Sequence, residues 1–202
     1  MKRFLTTIVA AAAVATLLAV VVSQAASSTS TPRPARSTHQ RLTSRFSVLR
    51  PARAASSSAS GMPTSTVKSL TKPGTLVAEF ELEPENAAPV EIGGNKAWVV
   101  PGRAGMCLAV SGALVVNEVC GPITNAEAGR LFMVRLPSAG RVIVSGVVPN
   151  GASVTVAGTN GPSRSVPVTS NVFNYEGLPV RAVSVTPVGR PTTTTDIEGP
   201  TG

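Results

Sequence analysis

Trp98-Val-Val-Pro-Gly-Arg-Ala-Gly-Met-Cys107-Leu-Ala-Val-Ser-Gly-Ala-Leu-Val-Val-Asn-Glu-Val-Cys120 holds the chain's one tryptophan and both of its cysteines. Three short apolar, partly β-branched runs, residues 97–100, 106–110 and 113–119, are separated by Pro101-Gly102-Arg103-Ala104-Gly105 and by Ser111-Gly112. Runs of this kind, broken by Gly and Pro, predict a β-meander. With Ser111-Gly112 as a two-residue hairpin turn, Val110 faces Ala113 and Cys107 faces Val116. Cys120 then reaches Cys107 only if its strand bends back or if it sits on an adjacent turn. Two outcomes stay open. One is a disulfide, whose loop of about 14 residues would stabilise the domain by about 3 kcal/mol. The other is a pair of buried thiols acting as small hydrophobes. Compartment decides between them.

The compartment is read at the N-terminus. Met1-Lys2-Arg3 precedes nineteen uncharged residues, 4–22, which predict an export segment. As a helix the run would span about 28 Å, close to the hydrocarbon thickness of a bilayer, which favours a retained anchor. Ser23-Gln24-Ala25 offers small residues at a spacing suited to cleavage after Ala25, which favours a signal peptide. Residues 1–25 are thus a signal peptide or membrane anchor, with the membrane contacted through residues 4–22. The C-terminal part lies outside the cell membrane, or is secreted if the signal is cleaved. An oxidising compartment favours the disulfide between Cys107 and Cys120.

Residues 26–73 are rich in Ser, Thr, Ala, Pro and Arg, with few large apolar side chains and no acid. That composition predicts a disordered linker or stalk. It also predicts where the charge lies. Residues 1–73 carry ten Lys and Arg and no acidic residue, whereas residues 74–190 carry eight of each sign. The net charge of +8 is therefore expected to belong to the stalk, leaving a neutral fold. Basic charge separated from the fold argues against nucleic acid as a partner, since recognition needs Lys and Arg clustered on a folded face. An extended basic stalk suits an anionic leaflet or wall polymer as partner; the alternative is a solvated linker whose arginines serve only to keep it soluble.

Residues 74–190 form the expected single domain. Six further short runs, residues 130–136, 141–148, 152–157, 164–169, 171–175 and 181–187, have strand character with Gly, Pro or Asn between them. The expected fold is all-β, a small antiparallel β-sandwich or barrel behind an N-terminal apolar helix and a disordered stalk. Pro167 inside a run marks an edge strand, and Pro149-Asn150-Gly151 marks a turn. Residues 75–83 alternate like a strand but have helical composition, with a slight lean to helix. Residues 123–129 read as one helical turn, capped by Thr124 or Asn125 and stopped by Gly129, that carries the chain between sheets. Residues 191–202 read as a disordered tail.

Several of these motifs together carry a resemblance. They are Trp98-Val-Val-Pro-Gly102, Gly105-Met-Cys-Leu108, Cys120, Gly146-Val-Val-Pro-Asn-Gly151, Ser153-Val-Thr-Val156, Val166-Pro-Val168 and Asn171-Val-Phe173. Over roughly residues 95–175 the chain resembles uncharacterised exported or membrane-anchored β-domain proteins of high-GC Gram-positive bacteria. The resemblance implies an extracytoplasmic β-domain behind a signal or anchor and implies no activity.

Catalytic sets lack parts. The one histidine, His39, lies in the expected stalk, and residues 1–195 contain no aspartate, so no Ser-His or Cys-His pair is expected in the domain. Ser65-x-x-Lys68 and Ser69-x-x-Lys72 match a Ser-x-x-Lys pattern but stand without a Lys-Thr-Gly partner. No metal ligand set and no cofactor motif is recognised. Trp98 and Tyr175 are candidates for a ligand platform of ring faces. The competing reading packs the tryptophan over the disulfide. The leading expectation is a non-enzymatic extracytoplasmic module that binds a protein or cell-wall component. The alternatives are a carboxylate-dependent wall hydrolase using Glu79, Glu81, Glu83, Glu85, Glu118 or Glu127, and a purely structural surface spacer.

Overall fold

The computed structural model describes residues 38–50, 61–72, 76–112, 116–138, 140–159 and 161–197. They belong to a unit spanning residues 36–202. It is mostly β, with twelve strands in three antiparallel sheets of four and a few short helices among the described residues. The apolar run at residues 4–22 lies outside the described residues, among which no helix is long and apolar enough to cross a membrane.

The first sheet is the meander. β1 (Ala88–Ile92), β2 (Asn95–Pro101), β3 (Gly105–Ser111) and β4 (Val116–Pro122) lie side by side in chain order. β1, unforeseen in the sequence, joins β2 through Gly93-Gly94, with Ile92 opposite Asn95. β2 and β3 are buried along almost their whole length rather than at alternate positions. The reason is that both faces are covered. Ala97, Val99, Leu108 and Val110 join one hydrophobic cluster, while Trp98, Val100, Cys107 and Ala109 join another on the opposite side. A strand covered on both faces reads as a continuous apolar run.

The β3–β4 turn differs from expectation. Ser111 pairs with Val116, and Cys107 lies directly opposite Cys120. The two form the disulfide, with their Cα atoms 4.1 Å apart. Relative to a Ser111-Gly112 turn the register is displaced by four positions, from Val116 to Cys120. An even displacement returns every side chain to the same face, so apolar patterning could not tell the two registers apart.

The reading of residues 26–73 as linker is corrected for 38–50 and 61–72; the remainder lies outside the described residues. α1 (Thr38–Arg45) and a 3₁₀ turn (Ser47–Leu49) place Leu42, Phe46 and Leu49 in the cluster under the first sheet, with Phe46 fully buried. α2 (Thr64–Leu70) places Leu70 against Trp98 on the other face. Helices of seven or eight residues have little stability alone, so packing holds them. Their apolar residues are few and widely spaced, which is why overall composition concealed them. Arg41, Arg45, Arg50, Lys68 and Lys72 are consequently carried by the fold, and the expectation of a neutral domain is corrected with them.

A 3₁₀ turn at Leu76–Phe80 sides with the helical reading of residues 75–83, after which Leu82 bridges to Gly102. α3 (Ile123–Glu127) then carries the chain to the second sheet, as the sequence predicts. Its N-cap is Pro122, with no side-chain cap, rather than Thr124 or Asn125. Its end is stopped by Gly129 at φ 72. The Arg130 amide donates to the Asn125 carbonyl and the Gly129 amide to the Ala126 carbonyl, which closes a Schellman motif.

The second sheet has the order β5 (Leu131–Ser138), β6 (Arg141–Val147), β10 (Val172–Gly177), β9 (Val168–Thr169). The third has the order β12 (Thr193–Asp196), β11 (Val180–Thr186), β7 (Ser153–Gly158), β8 (Arg164–Val166). Val142, Val144 and Phe173 of the second sheet cluster with Val154, Val156, Val183 and Val185 of the third. Leu131, Val147 and Val172, also of the second sheet, join the cluster of the first sheet and α1. Pro167 stands between β8 and β9, the edge strands of two different sheets. Lacking an amide hydrogen, it sits where the chain changes sheets and no ladder bond is required. The tail reading of residues 191–202 is corrected for 193–196, which pair with β11 as β12. The Thr run adds hydroxyl contacts there, Ser184 with Thr194 at 2.9 Å and Thr186 with Thr192 at 2.8 Å.

Candidate functional site

Trp98 and Tyr175 do not form a shared platform. Trp98 is 2% exposed and packs with Leu70, Val100 and Cys107, with Cys120 against the same cluster. It is opposite Ala109 on β3, two residues along that strand from Cys107 and on the same face. The ring thus belongs to the cluster that buries the disulfide. Tyr175 lies on β10 and packs instead against the cluster of the second and third sheets.

Tyr175 does line a cleft of its own. The turn after β7, the start of β8 and the β10–β11 turn enclose about 300 Å³ bounded by Val156, Pro162, Arg164, Tyr175, Leu178 and Pro179. The volume is at the lower end of ligand pockets, and the lining is the usual mixture of apolar wall and a few polar groups. The Tyr175 hydroxyl donates to the Leu178 carbonyl at 3.1 Å, which fixes the ring. Gly177 permits this approach, since a Cβ there would lie 2.5 Å from the tyrosine oxygen. Leu178 is 67% exposed at the rim, and Arg164 brings a positive charge to the same opening. Ring face, prolines and guanidinium suit a ligand that has an apolar or ring-shaped body and a negative group. The aromatic half of this site was legible in the sequence. Arg164, Pro162 and Pro179 were not, because only the folding of two turns against each other brings them together.

The carboxylates suggested for hydrolysis are dispersed. Glu81 and Glu83 share the exposed Arg103 at 3.7 and 3.8 Å. Glu79 and Glu85 are exposed. Glu118 accepts a hydrogen bond from Ser69 at 3.3 Å. Ser65 and Lys68 both face solvent on α2. Among the described residues no group of three or more His, Cys, Asp or Glu is placed to hold a metal ion.

Glu127 is the exception in burial. Its side chain is 4% exposed, and its two oxygens accept from Nε and Nη2 of Arg41 at 3.0 and 2.9 Å. Arg190 adds a contact at 3.4 Å. Burial pushes the Glu127 carboxyl up, but the Arg41 hydrogen bonds and charge, with the fields of Arg190 and Arg45, outweigh it and hold its pKa below the ordinary value. The same hydrogen bonds and charge raise the pKa of Arg41. An ionised, fully paired carboxylate joins α1, α3 and the segment after β11. It is poorly suited to act as a general acid, which needs a raised pKa.

Asn171 does comparable work beside it. It is buried, at φ 63, and its amide donates to the Val148 carbonyl at 3.1 Å and to Asn150 Oδ1 at 2.9 Å. Its oxygen accepts from the Val48 amide at 2.9 Å and the Ser47 hydroxyl at 3.1 Å. Asn150 in turn accepts from the Ser47 amide at 2.8 Å and donates to the Ser44 carbonyl at 3.1 Å. The Asn-Gly turn thus clamps the segment that follows α1.

No family model matches the chain, and neither a curated protein nor a solved structure shows significant similarity to it.

Proposed function

We propose that the chain is an extracytoplasmic, non-enzymatic binding module, exported through the segment at residues 4–22 and displaying a β-sandwich formed by the second and third sheets. The observation that carries this reading is the Tyr175 cleft, with its fixed ring, apolar walls and Arg164 at the mouth. The disulfide between Cys107 and Cys120 supports export, because such bonds persist in oxidising compartments. The partner class is a protein or cell-wall component bearing a ring or short apolar segment next to a negative group. The hydrolase reading is weakened by its own residues. Glu127 is committed to Arg41, and Glu81 and Glu83 lie beside the exposed Arg103 rather than in the Tyr175 cleft.

The test is an NMR titration of the isotope-labelled chain with soluble cell-wall fragments and with short acidic peptides containing an aromatic residue. Saturable shifts confined to residues 156–164 and 175–179, lost in Tyr175→Ala and weakened in Arg164→Ala, are expected for one of the two ligand sets. Saturable shifts centred elsewhere, or none with either set, contradict the assignment of the cleft.

A further inference from the structure

Glu127 gathers more positive charge than it can neutralise. Arg41 is paired with it through two hydrogen bonds, and Arg190 reaches it at 3.4 Å. Arg45, one helical turn after Arg41 on α1, contributes its field to the same carboxylate and makes no side-chain hydrogen bond among the described residues. Three guanidinium groups therefore surround one carboxylate, for a local charge of +2. Nothing on α1 or α2 offsets it, since the first acidic residue of the chain is Glu79. An excess of like charge around one concavity is relieved by a bound anion.

The place is also concave. Arg41, Ser44, Arg45 and Glu127 line an open cleft of about 540 Å³. A smaller recess of about 80 Å³, lined by Arg45, Glu127, Asn150 and Arg190 among others, continues from it. The donors still available suit a tetrahedral oxyanion. Arg41 spends Nε and Nη2 on Glu127 and keeps Nη1, Arg190 spends one Nη2 contact, and Arg45 keeps its whole fork. Planar forks with several donors match phosphate oxygens better than a halide does. Part of the site is preorganised, because the buried Glu127 fixes Arg41 and the Asn150 side chain holds the Ser44 carbonyl at the same turn of α1, while the exposed Arg45 side chain is free to close on an anion.

We propose that Arg45, together with Arg41 and Arg190, forms a binding site for a phosphate group, either free phosphate or the headgroup of an anionic phospholipid. The site depends neither on export nor on the Tyr175 cleft, which lies at the turns flanking β8 and β10, so either reading can fail alone.

The experiment is a titration of the isotope-labelled chain with inorganic phosphate at constant ionic strength, with chloride as the reference anion. Saturable shifts at residues 44–46, 149–150 and 188–190 are expected with phosphate and not with chloride. Arg45→Ala is expected to weaken phosphate binding at least tenfold and Arg45→Lys by less. Both variants should leave Trp98 fluorescence unchanged, because the Arg45 side chain is exposed and outside the core. Cosedimentation stronger with phosphatidylglycerol than with phosphatidylcholine vesicles, with that excess lost in Arg45→Ala, identifies the headgroup as the source. Saturable phosphate binding without vesicle binding identifies the free ion. Phosphate shifts no different from those of chloride, or phosphate affinity unchanged in Arg45→Ala, overturn the proposal.

Discussion

Arg41 and Glu127, 86 residues apart in the chain, meet in a two-pronged ion pair at 3.0 and 2.9 Å. One partner is buried and the other half-exposed, with side-chain exposures of 4% and 55%. The pair ties α1, which composition assigned to a linker, to the helix that joins the first two sheets.

Arg41→Ala leaves a buried carboxylate with Arg190 as its remaining hydrogen-bonding partner. The loss is expected to be about 1–3 kcal/mol, below the 3–5 kcal/mol typical of breaking a fully buried pair, because water already screens Arg41. Urea denaturation of the variant and the native chain checks this. An unchanged midpoint would show the contact to be energetically idle.

The same pair sets a pH dependence. The folded-state pKa of Glu127 is depressed, so its contribution is present above the unfolded-state pKa of about 4.3 and is lost as pH falls through the lower folded value. Stability of the native chain should therefore fall on acidification below about pH 4 more steeply than that of Glu127→Gln. Denaturation midpoints for the two proteins between neutral and acidic pH give the comparison. Parallel curves contradict it.

Phe46 is fully buried beneath the first sheet. Phe46→Ala is expected to cost about 3–5 kcal/mol, and Asn171→Ala to destabilise as well, because both hold the segment that follows α1. A loop loosely laid on the surface would tolerate both changes with little shift in thermal midpoint. Calorimetry distinguishes the two cases.

Gly129 tests the helix stop. A Cβ at this position would lie 2.3 Å from Cγ1 of Val185, on a backbone at φ 72. Gly129→Ala should cost more than about 2 kcal/mol, since left-handed strain alone is about 1–2 kcal/mol. Adding Val185→Gly, which removes Cγ1 and also the Cβ that would lie 2.5 Å away, should relieve the clash but not the strain, so the double variant should fall short of additive destabilisation by a measurable margin.

Most of the β-architecture was legible because its signals are local. Residues 130–187 alternate or break at Gly, Pro and Asn where the strands begin and end, and Pro167 marked an edge. What escaped depends on contacts distant in sequence. The four-position register shift at Cys107 and Cys120 preserves every face, so only the fold can choose it. Leu42, Phe46 and Leu70 are few among Ser, Thr and Arg, and their burial exists only once a sheet covers them. At the cleft, Tyr175 stood out as a rare aromatic, whereas Arg164 became informative only when β8 was placed beside β10. Glu127 was noticed as a carboxylate, but its partner Arg41 lay in a stretch read as solvated. Ion pairs between distant segments leave no periodicity to read.

The most direct test of an exported, disulfide-closed module is the intact mass of the native protein, measured without reductant on separated cytoplasmic, membrane and culture-medium fractions. The expected species is two hydrogen atoms lighter than the reduced chain. It starts at Met1 in the membrane fraction if the segment is retained, or at Ala26 in the medium if it is cleaved. A soluble cytoplasmic species with Cys107 and Cys120 as free thiols would contradict both the disulfide in its native compartment and the assignment of the domain to the cell exterior.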